Sequence, residues 1–179
     1  MKVNERLTTS LLAFALMWSA LLLVKPPAAS AVPGKLTDDA YTIGGSSTNT
    51  GGQGVLHVID AVASTQKTFI QFDLSSMSAL PSPLTSADID KASLILFVDG
   101  VGAAGSIDVH QVTTTWNEGT ISGTSSPTIG STVTSFMVTA SRQYVVIDIT
   151  TLVQAWLTTP ASNHGVALVP TTPASGLSV

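Results

Sequence analysis

The chemistry in this 179-residue chain that could bind something sits in two places: Trp116-Asn117-Glu118, and a scatter of polar residues in the N-terminal third. An exposed Trp116, with Glu118 close by, can stack its face on the C–H surface of a sugar ring. The plainer alternative is that Trp116 caps a sandwich and Glu118 bonds loop backbone. Tyr41, Asn49, His57 and Lys67 lie near strand ends and offer groups for hydroxyls or carboxylates, although a solvated face carries the same residue types. Asp38, Asp39 and Asp60 supply hard oxygens for a structural calcium, the one cofactor to consider. Calcium takes roughly six to eight such ligands, and nothing here has the spacing of an EF-hand loop.

Catalytic patterns are missing. His57, His110 and His164 are scattered with no His-x-x-x-His pair, and there is no Gly-x-Ser-x-Gly elbow. Asp and Glu residues form no recognisable acid/base pair. The chain reads as a non-enzyme.

The elements that must hold these residues are mostly strands. The chain is 44% hydrophobic and only 10% charged, enough for one domain with a real core. Tyr144–Leu157 organises the reading. Its first half is β-branched and strand-like, and then Leu152, Val153, Trp156 and Leu157 recur at helical steps. Thr150 or Thr151 can cap that turn, and Pro160 suits a stop. One short helix over Thr151–Leu157, with Trp156 buried, is predicted.

The first 31 residues are different. Lys2 and Arg6 precede the apolar run Leu11–Val24, and Ala29-Ser30-Ala31 is a small-x-small cleavage site. This is a secretory signal peptide, too short in its apolar run for the roughly 20 residues of a membrane span. Cleavage after Ala31 takes away Lys2, Glu5, Arg6 and Lys25, a net +2, and leaves −6 from the full chain's −4. Only Lys35, Lys67, Lys91 and Arg142 remain as strong bases, which argues against nucleic acid and against an anionic membrane surface. With no Cys, there is no disulfide framework, no thiolate zinc site and no lipid-modified cysteine.

Strands are predicted at Ala40–Ile43, Val55–Asp60, Gln66–Leu74, Ile89–Val98, Ser106–Val112, Val133–Val138, Gln143–Ile149 and Gly165–Val169. Val32–Thr37 reads as a loose start, and Ser75–Ser86, with Pro81 and Pro83, as a loop. Ile89–Val98 is apolar on both faces and reads as a central, doubly covered strand. Val133–Val138 and Gln143–Ile149 are expected to pair across Thr139–Arg142. Asp99–Gly105 is a turn and Thr113–Ser131 a long polar connection. After Val169 no convincing strand is found. The count indicates an all-β, two-sheet antiparallel sandwich of jelly-roll type with one short helix.

Five blocks in order carry a resemblance: Thr68–Ser75 (TFIQFDLS), Ala92–Val98 (ASLILFV), Val112–Thr120 (VTTTWNEGT), Asp148–Trp156 (DITTLVQAW) and Asn163–Leu168 (NHGVAL). Together they resemble the bacterial DNRLRE domain, also classed as carbohydrate-binding module family 96, over Asp38 to Val179. The resemblance implies a secreted β-sandwich, usually one module of a longer extracellular protein. Some members sit beside polysaccharide lyases and bind acidic polysaccharide such as alginate. This chain departs from the family at Gln71 and Ile95, where bases are frequent, and at Gly123, where a second Trp follows. Fewer bases on a −6 surface weaken the case for an acidic sugar. The family usually continues with a further strand, so a C-terminally truncated domain with an open sheet edge is expected.

The sequence thus points to a secreted, non-catalytic carbohydrate-binding module, fused to further extracellular domains, with polysaccharide as partner. The competing reading is a structural or adhesive head of a longer bacterial surface protein with no sugar ligand.

Overall fold

Phe69 and Ile70 are neighbours on one strand, so their side chains point to opposite faces, yet both are buried. A strand buried on both sides must lie between two covers, and the fold is arranged around that requirement. The computed structural model describes residues 31–61, 63–75 and 84–171, and the backbone of 175–178. The expected signal peptide, Ala31 excepted, and most of the Pro81–Pro83 loop lie outside these residues.

The strands are β1 (Lys35–Ile43), β2 (His57–Val58), β3 (Gln66–Asp73), β4 (Ser93–Val98), β5 (Gly100–Ala103), β6 (Gly105–Val112), β7 (Ile129–Val138) and β8 (Gln143–Asp148), followed by helix α1 (Thr150–Thr158), β9 (Val166–Pro170) and β10 (Ser175–Ser178). A five-stranded antiparallel sheet runs β1-β3-β9-β6-β7. Facing it are a three-stranded sheet, β2-β10-β5, and a two-stranded one, β4-β8. Ile70, Ile107, Val109, Val166 and Leu168 from the first layer pack against Val58, Leu94, Leu96, Val98, Ile147 and the helix residues Leu152, Val153 and Trp156. This is the all-β antiparallel sandwich with one helix that the sequence predicts.

The helix forms where its period indicates, but its cap differs. Asp148, not a threonine of the first turn, accepts the Thr150 N–H (2.9 Å) and the Thr150 hydroxyl (2.6 Å). A carboxylate is well placed there, at the positive end of the helix dipole. The same two bonds, the hydroxyl's first, hold the Asp148 carboxyl below its ordinary range. The Thr150 hydroxyl oxygen accepts the Ala92 N–H (2.9 Å), and Gln154 Nε2 donates to Ile89 O (2.9 Å), so the helix is tied to the approach of β4.

Several strand predictions need correction. β1 starts at Lys35, within the stretch read as loose. Only His57–Val58 of Val55–Asp60 forms ladder, with Leu56 and Val58 inward. Gly100–Ala103, read as turn, is β5. β7 and β8 do not pair with each other. β7 lies on β6 and β8 on β4, so Thr139–Arg142 connects the two layers. Arg142 alone there has positive φ (59°), whereas the tightest hairpin turns use two such residues. β4 is not doubly covered: Leu94, Leu96 and Val98 are buried while Ser93, Ile95 and Phe97 are exposed. The backbone of Ser175–Ser178 pairs with both β2 and β5, a strand that its polar composition conceals.

Two glycines sit where another backbone passes too close for any side chain. A Cβ at Gly165 (φ 82°) would lie 2.2 Å from Ile70 O, and one at Gly123 1.7 Å from Ile43 O. No tryptophan fits at position 123 on this backbone.

Trp156 is fully buried, and its Nε1–H has no acceptor among the described residues. Trp156→Ala should lower unfolding free energy by about 3–5 kcal/mol. Trp156→Phe should cost much less, because it also removes a buried unpaired donor worth about 1–3 kcal/mol against folding. Urea unfolding of both variants measures the difference.

Candidate functional site

β1 is an edge strand, so one row of its backbone groups faces away from β3 and needs partners. Two loops supply them. The Thr50 hydroxyl donates to Tyr41 O, and Glu118 Oε2 accepts the Asp39 N–H (3.2 Å). Asp38 Oδ1 accepts the Glu118 N–H (3.2 Å) and a bond from Asn117 Nδ2 (3.3 Å). Asn49 Nδ2 donates to Glu118 O (2.6 Å) and Ile121 O (2.8 Å), beside a bridge between Asn49 and Ser122. The loops lie so close that a Cβ on Gly51 would be 2.0 Å from Glu118 O. Asn49 and Glu118 are therefore engaged in locking loop to loop and loop to edge.

Trp116 is half-buried. Its Nε1 donates to His164 O (2.9 Å), and its ring lies 5.9 Å from Phe69. It packs with Ala40, Phe69, Val112, Ile121 and Ala167, a second cluster on the far face of the five-stranded sheet. This is the cover that Phe69 requires.

Tyr41 and His57 do meet, edge to face with ring centroids 4.8 Å apart. Tyr41 pairs with Thr68 and packs on the main core, whereas Lys67 pairs with Thr42 one position on. By strand alternation Lys67 belongs to the opposite face. The six candidates thus resolve into a Tyr41–His57 pair, an Asn49–Glu118 lock, a packed Trp116 and a separate Lys67.

The three aspartates do not converge either. Asp38 and Asp39 sit opposite Gln71 and Ile70, while Asp60 follows Ile59, which bridges to Gln66. That is four to five strand positions away, roughly 13–17 Å. Among the described residues no group of three or more His, Asp or Glu side chains could hold a metal ion. Burial first, then the nearby charges of Glu118 and Asp38, pushes the Asp39 carboxyl above its ordinary range.

Sequence reasoning missed the outer face of β4 and β8. Register pairs Ser93 with Asp148, Ile95 with Val146 and Phe97 with Tyr144. Ile95 is 60%, Phe97 45%, Tyr144 71% and Val146 59% exposed. The Phe97 and Tyr144 rings lie 5.1 Å apart at 61°. Leu94–Val98 and Tyr144–Ile147 are apolar or aromatic at every position, which in sequence is indistinguishable from a strand covered twice. An open hollow beside α1, lined by Ser86, Ala87, Gln154, Ala155 and Thr158, carries no charged side chain.

The sequence matches the model of carbohydrate-binding module family 96 over residues 31–177. The chain belongs to that family. A search of curated proteins finds no match. Among the described residues no helix is long and apolar enough to cross a membrane.

The blocks that carry the family likeness are mostly fastenings of the module. Asn163 Nδ2 donates to Phe72 O (2.9 Å), its Oδ1 accepts the Gly165 N–H (3.3 Å), and Gly165 O accepts the Val112 N–H (3.0 Å). Gln71 is half-buried opposite Asp38, while Ile95 lies on the open β4–β8 face.

Two variants test the edge lock. Asn49→Ala removes two hydrogen bonds at roughly 0.5–1.5 kcal/mol each and should destabilise the module by about 1–3 kcal/mol in denaturant titration. Asp39→Asn should have the opposite effect at neutral pH. The folded value of Asp39 lies above the unfolded one, so its contribution favours folding most at low pH and declines as pH rises through that interval. Asp39→Asn should therefore melt higher than wild type at pH 7, with the difference vanishing near about pH 3.

Proposed function

We propose that the protein is a secreted, non-catalytic module that binds polysaccharide. The observation that carries this is membership of a carbohydrate-binding module family across residues 31–177. The apolar run Leu11–Val24, followed by Ala29-Ser30-Ala31, supports export and cleavage before Val32.

The polar clusters support a binding rather than a catalytic role. Ser135, Asp108 and His110 meet on the β6–β7 surface, but in the wrong order for a nucleophile. The Ser135 hydroxyl donates to Asp108 Oδ1 (2.5 Å), and His110 Nδ1 donates to Gly130 O (2.9 Å). His110 Nε2 stands 4.0 Å from Asp108 Oδ2. Activation of a serine needs the imidazole on the hydroxyl, not the carboxylate.

Affinity electrophoresis against alginate, pectin and neutral glucans tests the reading. Retardation by at least one polysaccharide, without release of reducing ends, is expected; migration unchanged in all of them would overturn it. N-terminal sequencing of the exported product should begin at Val32.

A further inference from the structure

We propose that the outer face of β4 and β8 is a flat binding platform for an uncharged polysaccharide chain, with Tyr144 as its main stacking ring. This rests on the reading that the module binds carbohydrate, and it places the binding away from the Tyr41–His57 pair.

The face is apolar without structural need. β4 and β8 bury Leu94, Leu96, Val98 and Ile147 inward, and that burial holds the ribbon on the core. The outward positions are free to be polar. β7 shows what such freedom usually yields: Ser131, Thr132 and Ser135 occupy three of its four exposed positions. Thr would keep the strand propensity at Ile95 and Val146. Instead the outward row runs from an aliphatic pair, Ile95 and Val146, to an aromatic pair, Phe97 and Tyr144.

Area and charge select the occupant. The four side chains expose on the order of 500 Å², within the range of functional patches on monomers and short of the roughly 800 Å² per partner of a stable protein interface. A sugar chain needs less. Its rings present C–H faces to an aromatic side chain and hydroxyls to its polar tip, and Tyr144 provides both. The 61° tilt between the rings means that Phe97 buttresses Tyr144 rather than stacking flush on it. No charge lies among the four. Lys91 acts on Asp148 at one end of the ribbon, and Asp99 and Arg142, both exposed, flank the other. Opposite charges at each end give no net basic field to attract a polyanion.

The test uses the full chain and its Tyr144→Ala and Tyr41→Ala variants, with hydroxyethylcellulose and glucomannan as neutral probes and alginate as the acidic one. Circular dichroism and thermal melts check folding, and Tyr144→Ala, at an exposed position, should melt with wild type. Wild type should bind a neutral probe with little dependence on salt. Tyr144→Ala should weaken that binding by about tenfold or more, and Tyr41→Ala should leave it unchanged. Val146→Thr supplies a second reading of the platform and should weaken binding in the same direction. Binding of alginate alone, or neutral binding untouched by Tyr144→Ala and Val146→Thr, overturns the platform while leaving a carbohydrate-binding module. Binding to none of these probes overturns the platform, and the wider reading falls only if the other polysaccharides also fail. Sedimentation showing a dimer that Tyr144→Ala dissociates would make a second copy the occupant and also overturn it.

Discussion

The five-stranded sheet is apolar on both sides at its centre, and that is the constraint to which the rest of the molecule answers. Phe69 and Ala167 point one way; Ile70, Val166 and Leu168 point the other, and all are buried. Each large side chain buried in this way is worth about 1.5–3 kcal/mol. The β2-β10-β5 and β4-β8 sheets and the helix cover one side. Among the described residues no sheet covers the other. The long segment between β6 and β7 does so with Trp116 and Ile121, and strand alternation, which sets Val112 on the face opposite Val109, brings it into the same cluster. A polar loop of this length would ordinarily be the first place to look for a ligand. Here its apolar residues serve as a second layer of core.

The same segment also closes the β1 edge. An edge strand left open recruits other chains. Glu118, Asn117 and the Asn49 amide satisfy or screen that edge with side chains instead of a further strand. The arrangement sets three carboxyls, Asp38, Asp39 and Glu118, near one another. Asp39 carries the cost of that crowding: burial first, then the charges of Glu118 and Asp38, raises its carboxyl above the ordinary range. The Asp38, Asp39 and Glu118 cluster is a loop fastening that bears some like-charge repulsion.

Elements with one clean period were legible. Leu152, Val153 and Trp156 announced the helix, and the alternation in β6 announced a core strand. Misreadings followed where the period carries no information. A segment such as Ser93–Val98 is equally apolar whether two layers cover it or one, and only its pairing with β8 alone decides the matter. β10 was hidden because Ser175-Gly176-Leu177-Ser178 has turn-like composition and is a strand by virtue of the two neighbours it joins. The candidate site was less legible than the fold. Trp116, Asn49 and Glu118 have the residue types of recognition and the hydrogen bonds of architecture, and no local signal separates the two.

The location of binding in such a molecule follows from what the fold leaves unused. Loops that double as core cannot move to embrace a ligand without uncovering Phe69 and Ala167, so a cleft built from them would compete with folding. A sheet face has no such conflict. The β4–β8 ribbon is held by residues on its inner side and by six cross-strand pairs, so its outer side chains can meet a partner without reorganising anything beneath them. Rigid placement also limits the ordering entropy of association, because aromatic side chains have few rotamers to lose. The proposed platform is thus a fixed surface, suited to an extended polymer rather than to closing around a small molecule.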